Sequence, residues 1–316
     1  MPTHSADPWM IQHEGVYYYC ESKNHHRSIR IRKSRTLAGI GQDPGVCVWN
    51  APATGRNSHA IWAPELHRLG NKWFIYYAAD DGKNENHRMW VLESESDDPM
   101  GKYRCCGELK TDGWAIDGTV LSLDDGRMYF IWSGWPGHKD GQQNLYISQM
   151  KNPVALTGHR SVICVPDQPW EQKAMPICEG PQVLKRNNEI FVVYSASGSW
   201  TEHYCLGLLR YSGDDLLSPS AWTKHGPVLE STEEVWGVGH CSFVKSLCGT
   251  EDWILYHSKS SKTHGWDDRD VHAKRFTWFA NGLPDFGKPA PRSQSLTQSV
   301  PVFTPAAVTT SAPIAA

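Results

Sequence analysis

The chain has 316 residues, with 31 basic and 34 acidic side chains and a formal net charge of −3. That balance leaves no basic field for nucleic acid, and no run of about 18 apolar residues offers a transmembrane helix, so neither nucleic acid nor membrane is expected as a partner. Aromatic content is high, with 15 Trp and 12 Tyr, a composition that suits large cores and also the stacking of indole faces on sugars.

In chain order, the first recognisable element is the aromatic strand Val16-Tyr17-Tyr18-Tyr19. It returns as Trp73-Phe74-Ile75-Tyr76-Tyr77, Met128-Tyr129-Phe130-Ile131-Trp132, Ile190-Phe191-Val192-Val193-Tyr194 and Trp253-Ile254-Leu255-Tyr256. The starts of the five copies lie 57, 55, 62 and 63 residues apart. Each copy follows a shorter strand and a turn, most clearly at Cys178 to Leu184 with Asn187-Asn188 as the turn. A third strand comes next, at Ile29, Met89, Leu145, Cys205 and Val271 in turn. Segments rich in Gly, Pro, Asp and Ser, such as Ser96 to Gly101, then leave room for a fourth, outer strand.

Self-similarity at a near-constant period marks a repeat architecture. Three or four strands per unit with no helical pattern predict an all-β, single-domain, five-bladed β-propeller over residues 1–291. An open β-solenoid is the alternative, but its repeats are normally much shorter. Residues 292–316 are mostly Ser, Thr, Pro, Ala and Val with no charge after Arg292, the composition of a disordered tail, with Val300 to Phe303 as a candidate edge strand closing the ring.

The nine cysteines show no CxxC pair or zinc spacing, and Cys105-Cys106 are adjacent. They read as free buried thiols of a reduced compartment. The start Met1-Pro2-Thr3-His4-Ser5 has no basic-then-apolar signal. As written the chain is expected inside the cell, and as secreted if a presequence has been removed.

In a propeller the first strand of every unit lines the central channel. Aligning the five through their aromatic strands places Asp7, Trp62, Asp117, Glu179 and His240 at one structural position, all directed at one axis. Three carboxylates brought together push at least one pKa upward. A pair with split pKa values, one neutral acid and one ionised base, is the machinery of glycoside hydrolysis. Asp-Pro and Asp-Gly are ordinary turn residues, but three acids in one register, with Glu179 ahead of Gly180-Pro181, favour the site reading.

Ala6-Asp7-Pro8, Ile61-Trp62-Ala63-Pro64-Glu65, Ala115-Ile116-Asp117-Gly118, Glu179-Gly180-Pro181 and Gly239-His240-Cys241-Ser242-Phe243, in that order, resemble glycoside hydrolase family 43. The resemblance runs from residue 6 to about 289. It implies a five-bladed propeller that hydrolyses arabinofuranosyl or xylosyl linkages with inversion, acting on a pentose-containing oligo- or polysaccharide. It also implies Asp7 as general base, Glu179 as general acid and Asp117 as the carboxylate that sets the acid's pKa and orientation. Inversion would separate Asp7 and Glu179 by roughly 6.5–9.5 Å. No cofactor is implied for the chemistry, and His240 is either a ligand near a structural Ca²⁺ or other ion in the channel or a hydrogen-bond partner of the carboxylates. Arg269 resembles the family's arginine that reaches the sugar hydroxyls, and a solvated surface role is its alternative.

Trp62 either offers its indole face to the sugar or packs in the core, and Trp135 and Trp200 either line the cleft or pack within loops. Glu65, on the other face of its strand, reads as structural. Residues 51–59 could wall the groove, which favours exo action. The absence of a β-sandwich after the propeller favours the arabinan-directed branch, an α-L-arabinofuranosidase, over a β-xylosidase, and an endo-arabinanase stays the alternative to exo action. A glycan-binding propeller without activity, or a retaining propeller of the sucrose-hydrolysing type, is the reading from another class. Oligomeric state is not legible.

Overall fold

The computed structural model describes residues 1–291 and 296. The expected tail and its candidate edge strand otherwise lie outside the described residues. Five antiparallel sheets follow one another along the chain. Blade 1 is built from Trp9–His13, Val16–Lys23, Ser28–Ser34 and Val46–Asn50, and blade 2 from His59–Leu69, Lys72–Asp80, Arg88–Ser94 and Tyr103–Leu109. Blade 3 comprises Ala115–Ser122, Met128–Gly134 and Asn144–Asn152, whose outer edge pairs with both Ala155–Leu156 and Ser161–Cys164. Blade 4 holds Cys178–Arg186, Glu189–Ala196, Cys205–Tyr211 and Trp222–Leu229, and blade 5 holds Trp236–Lys245, Asp252–Lys259, Arg269–Trp278 and Pro284–Asp285. The protein is a five-bladed β-propeller.

The aromatic strands explain why the blades stack into a ring. Successive side chains on a strand face opposite sides of the sheet, so both faces of each second strand meet a neighbouring blade. In blade 2, Trp73, Ile75, Tyr77 and Ala79 pack with Cys20, Ile29 and Ile31 of blade 1. The alternate residues Phe74, Tyr76 and Ala78 pack with Trp114, Val120 and Phe130 of blade 3. Similar apolar clusters join blades 3 and 4, 4 and 5, and 5 and 1. Burial on both faces is why these strands read as continuous apolar runs instead of alternating ones.

Closure between the last and first blades combines Met10, Tyr17 and Tyr19 with Val244, Trp253 and Leu255. The N-terminal segment adds backbone bonds from Ser5 N–H to the Arg269 carbonyl (3.2 Å) and from Val271 N–H to the Pro2 carbonyl (3.3 Å). All nine cysteines are free, and Cys20, Cys164, Cys178, Cys205 and Cys241 are the buried ones. Cys47, Cys105 and Cys248 are exposed, so the expected burial holds only for part of the set.

The inner strands carry a shared irregularity. In blades 2 to 5 the pairing of the first strand with the second slips, between Trp62 and Glu65, Ile116 and Thr119, Glu179 and Gln182, and Gly239 and Ser242. Two residues there oppose one, a bulge that bends the strand and re-aims a side chain. The first residue of each bulge has left-handed backbone: Ala63 (φ 41°), Asp117 (55°), Gly180 (53°) and His240 (48°), with Asp7 (51°) in the matching place before Pro8.

This corrects the register expected from sequence in two blades. The residues equivalent to Asp7, Asp117 and His240 are Ala63 and Gly180, and Trp62 and Glu179 sit one residue earlier. Unequal hairpin turns hid the offset: residues 187–188 in blade 4 against 246–251 in blade 5. A non-glycine residue held at positive φ costs about 1–3 kcal/mol and tends to mark functional ground.

Candidate active site

The bulges bring the three acids to one end of the channel. Asp7 Oδ1 lies 3.4 Å from Arg269 Nη1, 3.4 Å from His257 Nδ1 and 3.4 Å from His240 Nδ1. Asp117 Oδ2 lies 4.0 Å from the same His240 nitrogen and accepts the Gly180 N–H at 3.1 Å. Glu179 Oε1 accepts the Tyr204 hydroxyl at 2.8 Å, and its carboxylate also takes a hydrogen bond from Ser199. The structure therefore brings Asp7, Asp117, Glu179, His240 and Arg269 together.

Their surroundings split the acids electrostatically. Burial alone would raise Asp7, but His240, Arg269 and the hydrogen bond with His257 hold its carboxyl well below the usual carboxylate range. Burial lowers His240, and burial pushes His257 down to about 4 against the pull of Asp7. With both imidazoles neutral near pH 7, the Arg269 guanidinium is the lasting partner of the Asp7 charge. The Asp7 backbone nitrogen also lies 3.2 Å from His257 Nδ1.

Glu179 moves the other way. Burial, reinforced by the Asp7 charge, raises it to about 7 against the opposing bonds from Tyr204 and Ser199 and the charge of Arg269. Burial also raises Asp117, helped by the nearby charges of Glu179 and Asp7 and opposed by the Gly180 amide. Like charges this close do not all ionise at neutral pH. Asp7 takes the charge, and a proton stays on the Asp117–Glu179 pair. The arrangement offers one ionised base and one neutral acid.

Gly180 is required twice over. Its φ is left-handed, and a Cβ there would stand 3.2 Å from both His240 Nδ1 and Ser195 Oγ, while its amide fixes Asp117. Gly239 protects Tyr204 in the same way, since a Cβ would fall 2.1 Å from Tyr204 Cε1. Gly239→Ala is expected to cost about 1–3 kcal/mol by overpacking and to push the Tyr204 hydroxyl off Glu179. Chemical denaturation together with a pH–rate profile would check it, and unchanged values in both would refute the close contact.

A pocket of about 190 Å³ opens beside Asp7, lined by residues that include Ala63, Pro64, Trp266, Asp267 and Arg269. Glu179 and Asp117 lie outside its lining and are 7% and 6% exposed, so the acids form a floor beneath the rim. Trp266 and Asp267 come from the loop before the third strand of blade 5, and Arg269 opens that strand. Arg269 Nε donates to the Trp266 carbonyl at 2.9 Å, which aims the guanidinium at Asp7 and away from bulk solvent.

Other residues singled out in the sequence are placed differently. Trp135 is 3% exposed and stacks on Trp114 with centroids 4.6 Å apart. Its ring belongs to the core between blades 2 and 3, which corrects its expected place at the substrate. Trp62 is half-buried and stacks on His87 at 4.0 Å, and its neighbours Ala63 and Pro64 line the pocket instead. Residues 51–59 are anchored on blade 2, through Asn57 to the Tyr77 hydroxyl (3.1 Å) and Arg56 to Glu108 (2.5 Å), and do not line the pocket. Glu65 accepts a hydrogen bond from Gln182 of blade 4, and His67 lies 2.8 Å from its other oxygen.

Tyr204, His257 and Ser199 were missed by the sequence reading. Tyr204 stacks on His257 at 5.6 Å, so one aromatic pair connects the acid Glu179 to the amide of Asp7. His257 follows directly on the aromatic run Trp253–Tyr256 within the second strand of blade 5, the one signal that could have drawn attention to it. Among the described residues, the group with metal-ligand spacing is Cys164, Glu171 and Cys178, not His240. Glu171 is already committed there to Tyr194 (2.7 Å) and Lys224 (2.8 Å).

Comparison with known proteins points to one family. The profile of glycosyl hydrolases family 43 matches residues 1–284. An extracellular exo-α-(1→5)-L-arabinofuranosidase of Streptomyces chartreusis is 35% identical over 266 residues, covering 81% of this chain and 80% of that enzyme. Alpha-L-arabinofuranosidase 43 of Humicola insolens is 32% identical over 301 residues; the match covers 90% of this chain but only 62% of that relative's length. The crystal structure of an α-L-arabinofuranosidase from Lactobacillus brevis superposes with a TM-score of 0.87 at 33% identity, covering 93% of this chain and 97% of that one.

Proposed function

The chain belongs to glycosyl hydrolase family 43, and on that premise we propose that it is an inverting, exo-acting α-L-arabinofuranosidase. Its substrate in this reading is arabinan or an arabinose-substituted polysaccharide. The observation that carries the mechanism is the opposed displacement of two carboxyls, Asp7 held down beside Arg269 and Glu179 lifted by burial. The exo preference rests on the exo-acting relative and on the modest size of the pocket beside Asp7, below the roughly 300–1,000 Å³ of drug-sized ligand sites.

In this mechanism Asp7, ionised and steered by Arg269, takes a proton from a water that attacks the anomeric carbon. Glu179, protonated near neutral pH, gives its proton to the departing glycosidic oxygen as the C–O bond breaks. The configuration at the anomeric carbon inverts. Asp117 acts on the acid by repulsion: where it carries charge, that like charge favours the protonated form of Glu179. Its own orientation comes from the Gly180 amide. Arg269, beside the pocket, is the candidate to meet sugar hydroxyls.

The chemistry of this family needs no cofactor. A channel ion remains part of the proposal: the hydroxyls of Thr119 and Ser242, on inner strands, are buried without a hydrogen-bond partner among the described residues, which suits ordered water or a hydrated hard cation such as Ca²⁺. With His240 they would hold it, and its charge would favour ionised carboxylates.

Hydrolysis of p-nitrophenyl α-L-arabinofuranoside, the matching β-D-xyloside and debranched arabinan tests the reading. Arabinose alone from the first and third is expected. Xylose release moves the enzyme to the β-xylosidase branch, arabino-oligomers make it an endo-arabinanase, and no turnover leaves a glycan-binding propeller. An unchanged anomer in the first product would indicate the retaining, sucrose-hydrolysing type.

Tyr204→Phe probes the tuning. The Tyr204 hydroxyl favours the ionised form of Glu179, so its loss lifts the acid further above about 7. The alkaline limb of kcat/KM is expected to move up by about one pH unit, with kcat lower as the acid loses its anchor. A limb that stays in place would remove Tyr204 from this role.

A further inference from the structure

We infer that Trp266 is the stacking platform for the sugar on the leaving-group side of the scissile bond, a reading that rests on the proposed glycosidase activity. Three observations converge on it. First, Trp266 is 53% exposed, whereas every other tryptophan of the chain is buried or half-buried. It stands at the rim of the pocket that has Asp7 and Arg269 in its wall, above acids that are almost fully buried. In an exo-acting site the sugar being released occupies the depth and the remainder of the chain lies at the mouth, so a rim aromatic meets the leaving group.

Second, the ring is attached to the acid and not to the base. Trp266 Nε1 donates to Ser199 Oγ at 3.1 Å, and Ser199 in turn hydrogen-bonds Glu179. The acid must lie beside the glycosidic oxygen that departs, so a ring held through the acid's own partner flanks that oxygen's sugar. Third, the ring is pre-positioned. It packs edge-on against Trp200, centroids 5.7 Å apart, and the Gly265 amide bonds to the Trp200 carbonyl at 2.9 Å. From below, the fully buried Lys259 grips the same loop through the Gly265 carbonyl (2.5 Å) and Asp268 (2.6 Å). An exposed apolar face held this firmly has already met most of the ordering cost of binding.

The test compares α-1,5-arabinotriose with α-L-arabinofuranosyl fluoride, whose leaving group carries no sugar to stack. Trp266→Ala is expected to lower kcat/KM on the triose by about 10-fold or more and to leave the fluoride within about twofold. Trp266→Phe should recover most of the triose rate. Equal losses on both substrates would overturn the inference and make Trp266 a support for Glu179; no loss on either would overturn it as well. Wild-type protein that hydrolyses neither substrate would instead remove the glycosidase reading beneath it.

Discussion

Glu179→Gln is expected to lower kcat/KM on arabinan by about 10²–10⁴-fold, the usual contribution of a general acid. The loss should be far smaller on p-nitrophenyl α-L-arabinofuranoside, whose phenolate departs without a proton. The alkaline limb of the wild-type profile should fall near pH 7, because the acid works only while protonated and its carboxyl is raised to about 7. The amide cannot titrate, so that limb should vanish in the variant. Equal losses on both substrates, or a limb that persists, would remove Glu179 as the acid.

The same substitution should stabilise the fold. In the native state Glu179 holds its proton up to about 7, against an ordinary value of 4.5. Between these two values the folded chain binds more protons than the unfolded one. Stability therefore falls as pH rises through that window and stays reduced above it. Gln carries no such cost, and a gain of about 1–3 kcal/mol at pH 8 is expected to fade towards pH 4. Thermal unfolding at both pH values would show it. An inactive variant that melts higher at pH 8 would identify Glu179 as a strained, functional group and not a structural one.

Asp7→Asn is expected to abolish turnover on every substrate, by about 10³-fold or more, because a base is needed whatever the leaving group. This contrast with Glu179→Gln separates the two roles. Asp7 also raises Glu179 through its charge, so residual activity should show an alkaline limb shifted to lower pH. Retained activity on the p-nitrophenyl substrate would refute the base assignment. A limb displaced to higher pH would contradict the electrostatic coupling between the two carboxyls.

Much of this protein is legible in one dimension because the ring is periodic. Five aromatic strands near a 60-residue period state the number of blades, since each must bury both faces against its neighbours. Asp7, Asp117 and Glu179 could be drawn together from residues more than 50 positions apart because rotational symmetry sends every inner strand to one axis. Fold and floor of the site are therefore legible in the chain alone.

Register was not, since the bulges at Ala63, Asp117, Gly180 and His240 depend on how two strands pair and leave no residue count in the chain. Trp135 and Trp266 are alike as loop tryptophans; only the approach of Trp114 buries one, and only the grip of Lys259 presents the other. Tyr204 reaches Glu179 across 25 residues, and Arg269 reaches Asp7 across 262. The sequence by itself determined the blades and the three carboxylates, through local patterning repeated five times. Tertiary structure alone decided which carboxyl keeps its proton, because burial and the positions of distant charges set a pKa, and neither is written in the neighbouring residues.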